Sequence, residues 1–103
     1  MHDADTATRD AIQAAAFRRL LRHLVSDRSD VQNIDLMIHA GFCRNCLADW
    51  LREAAAGHGI AMDKAQARDA VYGGDFAGWK AQHQREATPE QLAAFEAARR
   101  AHS

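Results

Sequence analysis

The sequence predicts an all-α protein, a compact bundle of five to six short helices in a single domain. Three observations carry that prediction. Alanine is abundant and β-branched residues are scarce; alanine loses no side-chain entropy in a helix, and strands favour the branched residues that are missing here. A single proline interrupts 103 residues. Apolar residues recur at spacings of three and four along successive stretches, several of them preceded by a residue able to cap a helix.

The first helix is expected to begin near Thr6 to Thr8 and to run to about Val25. Phe17, Leu20, Leu21 and Leu24 form its stripe and Ile12 extends it backwards. Asp5 and Asp10 near its start, and Arg18, Arg19, Arg22 and His23 near its end, complement the helix dipole. Ser29 and Gln32 have capping-box spacing for a second helix carrying Val31, Ile34, Met37 and Ile38. Gly41 is expected to break the chain there, since glycine tolerates the left-handed conformation that ends helices; a continuous helix is the alternative. A third helix from about Phe42 to Ala56 places Cys43, Cys46, Leu47, Trp50, Leu51 and Ala54 on its apolar stripe, and Arg44, Asn45, Asp49, Arg52 and Glu53 outside.

Asp63 and Gln66 open a fourth helix to about Val71. Gly73 and Gly74 turn the chain, and Asp75 caps a fifth helix with Phe76 and Trp79 inward. Tyr72, Phe76 and Trp79 are expected to form a satellite of the core. Thr88-Pro89-Glu90-Gln91 is the clearest start in the chain, with threonine at the N-cap, proline at N1 and glutamine completing the box. The last helix presents Leu92 and Phe95. The expected core is Ile12, Phe17, Leu20, Leu21, Leu24, Ile34, Ile38, Leu47, Trp50, Leu51, Trp79 and Phe95. The third helix should be central, with the first, second and last packed around it.

Composition narrows the classes of function. Hydrophobic residues are 48% and charged residues 26%, ordinary values for one globular domain over residues 1–103, with 1–5 and 101–103 expected to fray. A formal net charge of −1 offers no long-range attraction to nucleic acid or anionic lipid. No apolar run approaches the roughly 20 residues that span a bilayer, and the acidic, polar start MHDADTATRD is unlike a signal peptide. A cytoplasmic protein without a membrane or nucleic-acid partner is expected. Two cysteines in such a setting are not a disulfide framework.

Chemistry has one main candidate location. Cys43-Arg44-Asn45-Cys46 is a C-x-x-C at a helix start, where backbone N–H groups and the dipole favour a thiolate. The strand that precedes the helix in thioredoxin-like sites is missing. His39, Cys43 and Cys46 at i, i+4 and i+7 could instead offer three donors to zinc, with His58 or His83 as a fourth from elsewhere in the fold. Asp35, His39 and Cys43, four residues apart each time, also resemble a carboxylate–imidazole–thiol column on an unbroken helix. The bland reading is that the cysteines are small core hydrophobes, that Asn33 and Asp35 bond backbone near their helix start, and that Asp49 and Glu53 are surface charges. It leads, so no catalytic residue is assigned. A non-enzymatic helical protein acting by protein–protein or self association, by default a homodimer, is expected; a thiol-redox or zinc site is the alternative.

The runs AFRRLLRHL, RSDVQNIDLM, AGFCRNCLADW and REAA, followed by VYG, WKAQHQ and TPEQLAAFE, resemble a small bacterial family, domain of unknown function 1244. The resemblance spans nearly the whole chain. It implies a compact all-helical bacterial protein of about this length, and no activity. The chain reads YGGDFAGW where members are expected to read nearer to YGMPYEEW, so the turn after the fourth helix is where it departs from the family.

Overall fold

The computed structural model describes residues 5–102, and the fold is all-helical. α1 (Thr6–Arg22) runs without interruption into a π-helical turn (His23–Asp27), followed by α2 (Asn33–Ala40), α3 (Arg44–Gly57), α4 (Lys64–Val71), α5 (Phe76–His83) and α6 (Pro89–Ala101). Most of the expected fraying falls on residues outside the described ones. Asp5 caps α1 by accepting from Thr8 N, and Ala101 is the last residue of α6.

The local signals act largely as their chemistry predicts. Asp63 with Gln66, and Thr88 with Gln91, form reciprocal capping boxes, and Asp75 accepts from Gly78 N. Gly41 ends α2 at φ 76°, a left-handed conformation that a side chain would strain. α2 and α3 are therefore separate helices. The α2 start lies three residues later than Ser29 implies: Gln32 is the N-cap and Asp35, at N3, accepts from Gln32 N. Val31 consequently precedes the helix.

The core gathers Leu24, Val25, Leu47, Ala48, Ala67, Val71, Tyr72 and Trp79, with Phe17, Leu21, Leu36 and Leu51 packed against it. Tyr72 and Trp79 belong to this core rather than to a satellite. Their ring centroids lie 4.8 Å apart, and the Phe76 ring, tilted by 51°, also lies 4.8 Å from Tyr72. α3 packs chiefly on α4, and α2 on α6, so the first, second and last helices are not arranged around α3 as expected.

Six expected core residues lie outside it. Ile12 is 48% exposed, Leu20 38% and Trp50 51%, while Ile34, Ile38 and Phe95 are half-buried between α2 and α6 and do not join the core cluster. Leu92, expected beside Phe95 on the last helix, is exposed. None of the 17 residues of α1 is buried. Periodicity identifies an apolar stripe but not whether the fold supplies a surface to cover its whole width. Here Phe17 and Leu21 reach the core, while Ile12 and Leu20, turned some way round the helix, do not. Trp50 flanks the buried face of α3 formed by Arg44, Leu47 and Ala48, one turn on from Leu47 and turned away from the face's centre.

Candidate functional site

The motif DVQNIDLM…AGFCRNCL folds into two adjacent constellations, one polar and interior, the other sulfur-bearing and at the edge. The interior one is built on Arg44. Its expected place on the outer side of the third helix is wrong, because the residue is 0% exposed. A guanidinium enters a core only when its donors find acceptors, and the fold supplies them without a carboxylate. Arg44 Nε donates to Leu24 O at 2.9 Å, Nη2 to Arg28 O at 2.9 Å and Nη1 to Asn33 Oδ1 at 3.0 Å. Its Cζ lies 4.8 Å from the centroid of the Trp79 ring.

The π-helical turn makes this possible. Arg28 N reaches back five residues to His23 O at 2.7 Å, widening the helix end. Leu24 O then receives Arg44, and Val25 O receives Trp79 Nε1 at 2.8 Å. The cation thus caps the negative end of the α1 dipole from within the protein. Burial pulls the Arg44 guanidinium below its ordinary value, and it stays charged because nothing in a protein deprotonates arginine.

Asn33 and Tyr72 extend the network. Asn33 Oδ1 also accepts from Arg44 N at 3.2 Å, while its Nδ2 donates to Tyr72 Oη at 3.1 Å. The phenol in turn donates to Asn45 Oδ1 at 2.9 Å. Burial raises the Tyr72 phenol above its usual value, opposed by the Asn33 bond. Gln32 clamps the α5–α6 connection, donating to His83 O at 2.9 Å and accepting from Arg85 N at 2.8 Å. Asp35 accepts from Gln91 Nε2 at 3.0 Å, tying α2 to α6. Gln32, Asn33 and Asp35 are therefore bonded in the fold; Asp35 bonds backbone at its helix start as expected, whereas Asn33 bonds chiefly across the fold.

The second constellation lies at the start of α3. Cys43 is the N-cap and buried; Cys46, three residues on, is half-buried, and the two Sγ atoms are 3.9 Å apart. Both are free thiols. Cys43 thus stands at the helix boundary rather than within the helix. Burial pushes its thiol up, against the N–H groups of Cys46 and Asn45 that favour the thiolate. His39 is exposed in the last turn of α2, beyond the Gly41 break. Among the described residues no group of three or more His, Cys, Asp and Glu is placed to hold one metal ion. The structure brings Cys43 and Cys46 together and leaves His39, His58 and His83 out of any such group. The break at Gly41 also removes the single helix on which Asp35, His39 and Cys43 would have aligned.

Beside the thiols lies an aromatic pair, Phe42 and the half-exposed Trp50, with ring centroids 5.9 Å apart. Elsewhere a groove of about 520 Å³ between α2 and α6 is lined by Met37, Ile38, His39, Phe95, Ala98 and Arg99 among others. Sequence reasoning missed Arg44 and Tyr72 as network members, because nothing in a helical pattern marks a buried cation whose acceptors are backbone carbonyls.

These features define a small all-helical domain built on a buried arginine, with a thiol pair at one helix start. No helix among the described residues is long and apolar enough to cross a membrane. The chain belongs to the family described as protein of unknown function, DUF1244, whose family model matches residues 31–97. That match covers the network residues from Gln32 to Gln91, both cysteines and the turn after α4 where the chain reads GGDF. Comparison with curated proteins gives no match.

Proposed function

We propose that the chain is a non-enzymatic bacterial helical module of the cytoplasm that works by associating with a second copy of itself. The observation that carries this reading is a pair of exposed apolar helix faces with opposite charge. Ile12, Ala16 and Leu20 recur every four residues along one side of α1, which buries none of its residues, with Arg19 and His23 beside them. Arg18 and Arg22 add positive charge to the same helix. On α3, the exposed Trp50 is accompanied by Cys46 one turn earlier and by the exposed carboxylates Asp49 and Glu53.

A basic apolar face on one element and an acidic aromatic face on another are complementary between copies. A twofold arrangement makes each contact twice, α1 of one protomer on α3 of its partner and the reverse, which is the isologous form most homodimers take. Exposed apolar surface of this kind marks association sites in small proteins.

Sedimentation equilibrium at tens of micromolar tests it. The expected result is a dimer that loosens with salt, and that Trp50→Ser converts to a monomer of unchanged helix content. Arg19→Glu and Glu53→Arg should each weaken it, and combining them should recover part of the loss. A wild-type protein that stays monomeric, or a Trp50→Ser variant as dimeric as the parent, overturns the proposal.

A second reading places a thiol-redox or zinc-type function at Cys43 and Cys46. It is favoured by the 3.9 Å separation of the sulfurs at a helix N-terminus. For zinc, Zn–S bonds of about 2.3 Å in a tetrahedron give sulfurs roughly 3.8 Å apart, so the pair could fill two corners and the other two would need ligands from outside the pair. Intact native mass separates these forms: a bound ion lost on acidification, or a loss of two hydrogens, supports the second reading. The bare reduced mass after exposure to both zinc and a disulfide removes it.

A further inference from the structure

The two thiols stand in unequal positions, and the inequality sets an order of events. Cys43 is buried at the N-cap, whereas Cys46 is half-buried in the first turn, on the outer side of α3, one turn before the half-exposed Trp50. An incoming sulfur reaches Cys46 first. The aromatic pair of Phe42 and Trp50 lies against that approach and offers an apolar platform.

We propose that the pair performs thiol–disulfide exchange with Cys46 as the attacking thiol and Cys43 as the resolving thiol, acting on disulfides that carry an aromatic or other apolar group near the sulfur. This deepens the second, dithiol reading above and rests on it, not on the non-enzymatic one. Cys46 Sγ, as thiolate, attacks one sulfur of the substrate disulfide; the other substrate sulfur leaves as a thiolate and is protonated from solvent. Cys43 then loses its proton to solvent and attacks Cys46 Sγ. The mixed disulfide breaks, and the second substrate sulfur leaves as a thiolate and is protonated. Two electrons pass from the pair to the substrate. The products are a Cys43–Cys46 disulfide and two substrate thiols.

The geometry suits each step. Closing 3.9 Å to a sulfur–sulfur bond of about 2.05 Å requires side-chain rotation between residues three apart at one helix start. Burial, which pushes the Cys43 thiol up, suits a group that reacts within the protein once its partner sulfur is adjacent, and not one that captures substrate from solution. The order is the reverse of that in redox helices whose first cysteine is the exposed one. Because Trp50 also lies on the face offered to a second copy, exchange belongs to the dissociated chain and is measured on dilute protein.

The test mixes dilute, fully reduced protein with glutathione disulfide and, separately, with the aromatic disulfide dithiobis(nitrobenzoate), reading intact mass and released thiol. Wild type is expected to lose two hydrogens and to release two thiols. Cys43→Ser, which keeps a favoured N-cap residue and so the helix, should stop at one mixed disulfide on Cys46. Cys46→Ser should react about tenfold more slowly or less, its remaining thiol being buried. Trp50→Ala should slow the aromatic disulfide more than glutathione disulfide. Circular dichroism confirms that each variant is folded. If Cys46→Ser captures the probe faster than Cys43→Ser, the order is overturned while the dithiol reading stands. A Trp50→Ala variant that slows both probes equally overturns the substrate class. A wild-type protein that stays reduced, or stops at the mixed disulfide, overturns both the exchange and the dithiol reading.

Discussion

Arginine appears in two settings in this molecule, and the contrast separates what holds the fold from what the fold leaves available. Arg18, Arg19 and Arg22 lie along the exposed α1, whereas Arg44 is buried. The difference lies in the acceptors each meets. Arg44 meets three oxygens fixed by the π-helical end of α1, the loop after it and Asn33, at 2.9–3.0 Å, with an indole ring against its plane. The α1 arginines face solvent, where a single charge contributes little to stability. The interior cation therefore belongs to the architecture, and the exposed ones to the surface proposed for association.

This contrast can be broken at several points. The largest expected loss after Arg44 itself is at Asn33. Asn33→Ala removes the acceptor of two Arg44 donors and the partner of the Tyr72 hydroxyl, and should cost about 2–3 kcal/mol in urea unfolding, since bonds to charged groups are worth roughly 1.5–3 kcal/mol. Trp79→Phe leaves Val25 O without its donor and thins the stack over Arg44; about 1–3 kcal/mol should be lost. Gly41→Ala keeps every contact but forces a side chain into the left-handed region, for a loss of about 1 kcal/mol.

Alkaline pH sharpens the same division. Burial raises the Cys43 and Tyr72 groups, so the folded state holds their protons more tightly than the unfolded chain does. Stability from these groups is fully present below their ordinary values of 9.0 and 10.0 and falls as pH rises through and above them. Urea midpoints from pH 8 upward should decline, and Cys43→Ser should remove the earlier part of the decline.

The sequence made the helices legible because their signals are local. Thr88-Pro89-Gln91, Asp63-Gln66 and Gly41 each act through neighbours within four residues, and each behaves as its chemistry requires. The same logic failed for Trp50 and Ile12, whose burial depends on which surface a distant helix offers. It also failed for Arg44. Its acceptors Leu24 O and Arg28 O lie 20 and 16 residues away and are main-chain atoms, which no residue pattern advertises. Of the candidate site, the C-x-x-C was visible and its asymmetry was not. That Cys43 is the N-cap, and not a member of the helix, follows from the left-handed Gly41 two residues earlier together with the extended backbone of Cys43.

One comparison tests the central claim that Arg44 is the interior cation on which the fold is built. Arg44→Gln and Arg19→Gln are unfolded in urea side by side with the parent. The account predicts that Arg19→Gln stays within about 0.5 kcal/mol of it. Arg44→Gln should lose about 3–5 kcal/mol, because the buried Leu24 carbonyl, the half-buried Arg28 carbonyl and the Asn33 amide lose donors worth roughly 1–3 kcal/mol each. Equal, small losses in the two variants would contradict the account and return Arg44 to the surface role its helical position first implied.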